Sequence, residues 1–208
     1  MRFVFFVEGD TEELVLEEWL GRWLNPQLSV PVKIEVFSLG GNRRFLKEIV
    51  GRGRKVLGER GNKDIVACVG LLDLYRFRAF PKDVQSVEDR YVWAQKSVED
   101  SVERSRFHMY FAVHEFEAWL LSQSDIFDPT LRSDIEKLGD RPEAVDFQNP
   151  PARRLDTFYM GKLKRKYVKT LDGNRLFGRL DPEKARRKCP YLRSMLDDLL
   201  QMAKDAGL

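Results

Sequence analysis

Short apolar runs alternate with stretches of helical periodicity along the first half of the chain. The runs that predict β-strands lie at 2–7, 32–37, 64–72 and 107–113. Between and after them, apolar residues recur every three or four positions, which predicts amphipathic helices, with Asp10 placed to cap the first and a further helix starting near Glu115. This β-α-β-α-β-α-β-α order favours an α/β fold with a mostly parallel sheet, helices on its faces and right-handed crossovers.

The pattern changes after Ser124. Proline-containing breaks divide the following chain into short segments, at Asp128-Pro129, Arg141-Pro142 and Asn149-Pro150-Pro151. A periodic segment at 191–206 predicts a closing helix. We therefore predict an α/β core at 1–123 and a smaller, mainly helical C-terminal extension at 124–208 that packs on it.

Three acidic residues directly follow or end predicted strands. Glu8 follows the first strand, Asp73 the third and Glu115 the fourth. The carboxyl ends of adjacent parallel strands meet at one edge of a sheet, where such folds bind ligands. Clustered carboxylates at that edge suit Mg²⁺, which prefers oxygen ligands and binds phosphate groups. A second interpretation stays open, in which these acids are solvated or cap the next helices.

The composition is typical of a globular protein without a membrane span. Of the 208 residues, 43% are hydrophobic and 33% are charged. The longest apolar run is far shorter than the ~20 residues that a membrane span needs, and the N-terminal run is too short for a signal peptide. Cys68 and Cys189 lie far apart and form no Cys-x-x-Cys motif. We therefore expect a cytoplasmic protein, with Cys68 as a small core residue.

Several familiar catalytic motifs are missing from the sequence. His114-Glu115-Phe116-Glu117 lacks the second histidine of a zinc protease, and neither Gly-x-Ser-x-Gly nor a phosphate-binding P-loop occurs. A structural role for His114 is favoured. Gly40-Gly41-Asn42-Arg43-Arg44 places small residues and two cations at a predicted helix start, where a phosphate can bind.

Positive charge is concentrated near the C-terminus. The net charge of the chain is +3, but the basic stretch 151–188 contains 13 Lys and Arg against 4 Asp and Glu. Such a block is typical of a surface that contacts a polyanion. A solvated helical or loop surface explains the same block equally well.

Several strings, taken in order, carry a resemblance to a known family. Val7-Glu8-Gly9-Asp10-Thr11-Glu12 resembles the opening of Toprim domains, where a strand ends in Glu-Gly before a helix. Four further strings resemble small bacterial Toprim-like proteins: Gly70-Leu71-Leu72-Asp73-Leu74-Tyr75, His114-Glu115-Phe116-Glu117-Ala118-Trp119-Leu120-Leu121, Asn149-Pro150-Pro151-Ala152-Arg153-Arg154-Leu155 and Arg186-Arg187-Lys188-Cys189-Pro190-Tyr191. Over nearly its whole length the chain resembles domain-of-unknown-function family 4276.

This family is similar to nucleases of the overcoming-lysogenization-defect type, and its members are often described beside ATPases in phage-defence loci. The resemblance implies hydrolysis of phosphodiester bonds in DNA or RNA with Mg²⁺ or Mn²⁺ as cofactor, and a partner ATPase. Carried over to this sequence, the catalytic residues would be Glu8, Asp73 and Glu115. The metal ligands would be Glu8, Glu12, Asp73, Glu115 and Glu117.

Basic side chains would hold the nucleic acid in this interpretation. They are Arg43, Arg44, Arg153, Arg154, Lys162, Lys164, Arg165, Lys166, Arg186 and Arg187. Phe158, Tyr159 and Tyr167 either stack on unpaired bases or anchor the extension to the core.

One position departs from the Toprim pattern. Toprim domains usually present Asp-x-Asp after the third strand, but here Tyr75 occupies the second position. The lost carboxylate argues against a two-metal arrangement unless Glu115 or Glu117 supplies the missing oxygen. It also motivates an alternative function, a catalytically inactive module that binds nucleic acid or regulates a partner. A third interpretation is a phosphohydrolase that acts on small molecules.

Overall fold

One parallel sheet organises the molecule. The computed structural model describes residues 1–58, 62–138, 141–144 and 149–208. The strands are β1 (Arg2–Val7), β2 (Lys33–Ser38), β3 (Ile65–Asp73) and β4 (Phe107–Ala112). They are hydrogen-bonded in the order β2-β1-β3-β4, and all three pairings are parallel. The predicted α/β fold with a parallel sheet is confirmed.

Helices connect the strands and make up the C-terminal part. In the described residues they are α1 (Asp10–Leu24), α2 (Asn42–Gly58), α3 (Val87–Val102), α4 (Ala118–Leu121), α5 (Pro129–Glu136), α6 (Pro151–Phe158), α7 (Asn174–Arg179), α8 (Pro182–Lys188) and α9 (Pro190–Asp205). Two wide helical turns, Tyr159–Leu163 and Lys169–Gly173, lie between α6 and α7.

Two local predictions about helix starts need correction. Gly9, not Asp10, caps α1, and no side chain caps this helix. Gly9 has the extended backbone of a cap residue, so Asp10 becomes the first helical residue, where its charge favours the helix dipole. The helix expected near Glu115 begins at Ala118, because turns fill the intervening positions.

Both faces of the sheet are buried, as is typical of parallel sheets. Successive side chains of a strand point to opposite faces, so Phe3 and Phe5 enter one core cluster while Val4 and Phe6 enter another. The first cluster contains α1 and much of the C-terminal part, and the second contains α2 and α3. The sheet is therefore covered by helices on both sides.

Aromatic packing joins the C-terminal helices to α1 and to the segment after β4. The ring of Trp19 stacks on Trp119 at 5.5 Å, and Phe116 stacks on Phe177 at 4.2 Å. The indole Nε1 of Trp19 donates a hydrogen bond to the carbonyl of Leu180 at 3.2 Å. These contacts hold the C-terminal part against the sheet, and the turn Lys169–Gly173 reaches the acidic side chains that follow the strands.

Candidate functional site

The carboxyl ends of β1, β3 and β4 meet at one edge of the sheet. Val7 pairs with Leu71, and Asp73 pairs with Ala112, so the three strands end close together. The structure brings together there the five acids that were predicted as metal ligands: Glu8, Glu12, Asp73, Glu115 and Glu117. We call these five residues the acidic edge.

Asp73 is the most constrained member of the acidic edge. It is the last residue of β3 and is only 5% exposed. Its Oδ1 accepts a hydrogen bond of 2.8 Å from the backbone N–H of Phe116. Burial, followed by the charges of Glu12, Glu117 and Glu115, raises the pKa of Asp73 well above its ordinary value. The charge of Lys169 acts in the opposite direction and favours the ionised form of Asp73.

Glu115 and Glu117 lie in the turns between β4 and α4. The Oε2 of Glu115 accepts a hydrogen bond of 2.9 Å from the backbone N–H of Ala152, at the start of α6, and burial raises the pKa of Glu115. Glu117 is 2% exposed. Although the two acids are only two residues apart, both carboxylates act on the same ammonium, that of Lys169.

Glu8 and Glu12 complete the acidic edge from the end of β1 and the start of α1. The carboxylate of Glu8 accepts a hydrogen bond from the backbone N–H of Asn42, and the Arg76 guanidinium lies 3.9 Å away. Burial raises the pKa of Glu8. Burial also raises the pKa of Glu12 to about 7, helped by the charge of Glu117. The Glu12 carboxyl group is thus suited to proton exchange near neutral pH.

Lys169 lies among these carboxylates, and the sequence did not predict it as a site residue. Its Nζ is 2.8 Å from Oε1 of Glu117. Burial alone would lower the pKa of Lys169, but Glu117, Asp73 and Glu115 raise it above its ordinary value. Nothing in the spacing distinguishes this lysine from its basic neighbours in the stretch 151–188. Arg76, by contrast, was detectable, because it follows Asp73 closely at the same strand end.

The donor chemistry of the acidic edge suits a hard divalent cation. Oε2 of Glu8 and Oε2 of Glu117 are buried, and neither has a hydrogen-bond partner within the described residues. A cation would satisfy such oxygens. Among all the residues that the structure describes, no three His, Cys, Asp or Glu side chains are already arranged as the ligands of a metal ion. The ammonium of Lys169 compensates part of the negative charge in this arrangement.

Tyr75, which replaces the second acid of the Toprim pattern, lies in a single helical turn after β3. Its backbone N–H donates to the carbonyl of His114 at 3.1 Å, which connects the loops after β3 and β4. His114 itself is 4% exposed. Cys68 lies fully buried in β3, and burial raises the pKa of its thiol to about 12, in line with a core residue.

Some of the basic residues predicted to bind nucleic acid already form ion pairs with carboxylates of the protein. Arg186 forms a two-pronged ion pair with Asp197 at 2.7 and 3.0 Å, and Arg165 forms one with Asp172 at 2.7 Å for both contacts. Arg187 is exposed and contacts Glu183 at 3.2 Å. The first two are therefore less available to phosphates than the sequence suggests.

The remaining basic residues predicted to bind nucleic acid are exposed or partly buried. Arg43 and Arg44 start α2 beside Gly40 and Gly41 and line a surface pocket there. Arg44 also pairs with Glu48 at 2.7 Å. The others are Arg153, Arg154, Lys162, Lys164 and Lys166.

The two tyrosines proposed for base stacking are anchors. Tyr159 is 4% and Tyr167 is 9% exposed, and their rings pack edge to face at 5.3 Å. Phe158 is partly buried and packs against the same core. Stacking of unpaired bases on the tyrosines is therefore wrong, and the alternative, that they anchor the C-terminal part, is the one that the structure supports.

Comparison with known proteins identifies the family. The model of the family described as domain of unknown function (DUF4276) matches residues 7–200. The chain belongs to this family. The ordered motifs in the sequence predicted this same family, and the match to the DUF4276 model confirms that prediction. None of the curated proteins with which the chain was compared matches it.

Among solved structures, the DUF4276 chain is similar to the C-terminal region of the OLD protein of Xanthomonas campestris pv. campestris. The two share 14% sequence identity, the similarity covers 99% of this chain and 98% of the other, and the TM-score is 0.47. In the part of the DUF4276 chain that the structure describes, every helix is too short or too polar to cross a membrane.

Proposed function

We propose that this DUF4276 protein is a Mg²⁺-dependent nuclease that hydrolyses phosphodiester bonds. The observation that carries the proposal is the convergence of five carboxylates and the Lys169 ammonium at the carboxyl edge of a parallel sheet. Phosphoryl transfer needs this combination of oxygen ligands for a cation and positive charge near the phosphate. The family that the motifs resemble is similar to nucleases of the overcoming-lysogenization-defect type, which points to the same chemistry.

Three residues of the acidic edge would hold the metal ion in this proposal, and two backbone N–H groups orient its carboxylates. Glu8, Asp73 and Glu117 would hold Mg²⁺ or Mn²⁺, which when bound polarises the phosphoryl group and activates water. Phe116 N–H orients the Asp73 carboxylate, and Ala152 N–H orients Glu115. These two hydrogen bonds limit the freedom of the carboxylates before any substrate arrives.

The other two groups handle protons and charge. Glu12, with a pKa of about 7, accepts the proton of the attacking water near neutral pH. Lys169 places its ammonium where negative charge develops on the phosphate, and the pair with Glu117 fixes that position. We also propose, from the family resemblance, a cytoplasmic role in phage defence or on a mobile element, with a partner ATPase.

Cleavage of a substrate panel tests the proposal. Labelled single- and double-stranded DNA and RNA, including transfer RNA, and free nucleotides would each be incubated with the protein in Mg²⁺, Mn²⁺ or EDTA. We expect at least one polynucleotide to be cut in the presence of metal and none in EDTA. Hydrolysis of nucleotides with every polynucleotide left intact would indicate a small-molecule phosphohydrolase instead.

A second candidate function is nucleic-acid binding without cleavage. The Lys169–Glu117 ion pair favours it, because an ammonium can replace a metal ion as the partner of these carboxylates. Under this alternative, binding measured by fluorescence anisotropy survives EDTA and falls steeply with salt, since phosphate contacts release counterions. Cleavage in the panel would exclude it.

A further inference from the structure

A small, partly enclosed pocket of about 200 Å³ lies in the C-terminal part, apart from the acidic edge. Helices α5 and α7 and the turn Tyr159–Leu163 contribute to its lining. Four of the residues that line it are arginines: Arg132, Arg165, Arg175 and Arg179. We call this the arginine pocket.

The charges that line the arginine pocket are not balanced. Its two carboxylates are Asp128 and Asp172. Both Asp172 oxygens bind Arg165 at 2.7 Å, while Asp128 Oδ1 caps α5 through Thr130 N–H at 2.9 Å. Among the described residues, no carboxylate lies within ion-pair distance of Arg132, Arg175 or Arg179. The lining therefore carries two more positive than negative charges.

The kind of cation in the pocket indicates the ligand. The stretch 151–188 contains lysines and arginines, but every cation that lines the pocket is an arginine. The planar guanidinium group donates two parallel hydrogen bonds to phosphate oxygens, a geometry that lysine lacks. A phosphate monoester carries about −1.5 to −2 charges at neutral pH, which matches the excess of the lining.

We propose that the arginine pocket binds a phosphate monoester group. Free nucleotides and the terminal phosphate of a polynucleotide share this chemistry. The site stands independently of the proposed nuclease activity, because its lining contains none of the five acids and not Lys169.

The arginine pocket is connected to the acidic edge through one turn. Besides binding Arg165, Oδ2 of Asp172 accepts a hydrogen bond from the backbone N–H of Val168 at 2.9 Å. The next residue, Lys169, pairs with Glu117. The lining of the arginine pocket therefore continues directly into the turn that places the ammonium of Lys169.

Calorimetric titration tests the arginine pocket directly. The full-length protein would be titrated in EDTA, at constant ionic strength, with inorganic phosphate, with AMP and with oligonucleotides that carry a 5′-phosphate or a 5′-hydroxyl. Arg175→Gln removes an exposed guanidinium without breaking an ion pair. Arg175→Lys keeps the positive charge but cannot donate two parallel hydrogen bonds to a phosphate. Arg52→Gln in α2, where Arg52 pairs with Glu48, is the matched control.

We expect saturable phosphate binding by the wild-type and Arg52→Gln proteins, at least about tenfold weaker binding by Arg175→Gln, and an intermediate loss in Arg175→Lys. Tighter binding of the 5′-phosphorylated oligonucleotide than of its 5′-hydroxyl counterpart would assign a polynucleotide end, and tighter binding of AMP a free nucleotide. Absence of saturable binding, or equal affinities in wild-type and Arg175→Gln proteins of unchanged melting temperature, would overturn the proposal. None of these readouts depends on cleavage.

Discussion

The ammonium of Lys169 lies 2.8 Å from the carboxylate of Glu117, a side chain that is 3% exposed. This ion pair joins the C-terminal part of the chain to the edge of the sheet where the acids gather. It places a positive charge where several carboxylates raise each other's pKa. The C-terminal part is thus a component of the candidate active site and not a separate attachment.

Replacement of Lys169 by glutamine should weaken the fold more at high pH than at low pH. At about pH 8 the removal leaves Glu117 buried without its counter-charge. Because the Lys169 side chain is 42% exposed, the cost is that of an unsatisfied buried group, on the order of 1–3 kcal/mol. At about pH 5 the acids with raised pKa values are more protonated, so the substitution lowers the free energy of unfolding by less. Urea unfolding at both pH values measures the difference.

Lys166→Gln is the control for this variant, because Lys166 is exposed and lies in the same basic stretch. It should leave the free energy of unfolding unchanged at both pH values. Equal stability of the Lys169→Gln and wild-type proteins at about pH 8 would show that the ion pair has no role in the fold.

Glu12 should make the folded protein less stable as pH rises. Its pKa is raised from 4.5 to about 7 in the folded state, so the folded protein binds more protons than the unfolded chain between those values. Stability that depends on this proton is present at low pH and declines until pH exceeds about 7. Glu12→Gln should therefore stabilise the protein at about pH 8, by on the order of 1 kcal/mol, and change little at about pH 4.

Glu13→Gln is the matched control, because Glu13 is the exposed neighbour of Glu12 on α1. Chemical denaturation of both variants across this pH range gives the comparison. If the free energy of unfolding of Glu12→Gln changed with pH in the same way as that of the wild-type protein, the folded state would not raise the pKa of Glu12.

Phe177 should be a major anchor of the C-terminal part. Its ring is 1% exposed, stacks on Phe116 and meets Trp19 edge to face at 6.1 Å. Phe177→Ala should lower the free energy of unfolding by about 3–5 kcal/mol, as for other buried aromatic residues. Leu171→Ala, at a side chain that is 68% exposed, should have no measurable effect. Denaturant unfolding that gave both variants the same midpoint would contradict this packing.

Local patterns predicted the sheet well, because a strand buried on both faces needs a run of apolar residues. The strand ends then placed Glu8, Asp73 and Glu115 at one edge, which follows from parallel order alone. Lys169 was not predictable, because the chain returns to the sheet through packing between distant residues such as Phe116 and Phe177. Nor does any local pattern show that Arg165 and Arg186 bind their own carboxylate partners.

Two substitutions on one strand test the central claim most directly. Asp73 ends β3 at the acidic edge, whereas Asp64 precedes β3 at the opposite edge and pairs with Arg2 at 2.7 Å. Asp73→Asn and Asp64→Asn make the same carboxyl-to-amide change at opposite ends of β3. Cleavage in Mg²⁺ of the substrate found in the panel would be measured for both, with circular dichroism to verify folding. We predict that Asp73→Asn loses cleavage by at least about a hundredfold while Asp64→Asn retains it. Full activity of a folded Asp73→Asn protein would contradict a catalytic acidic edge.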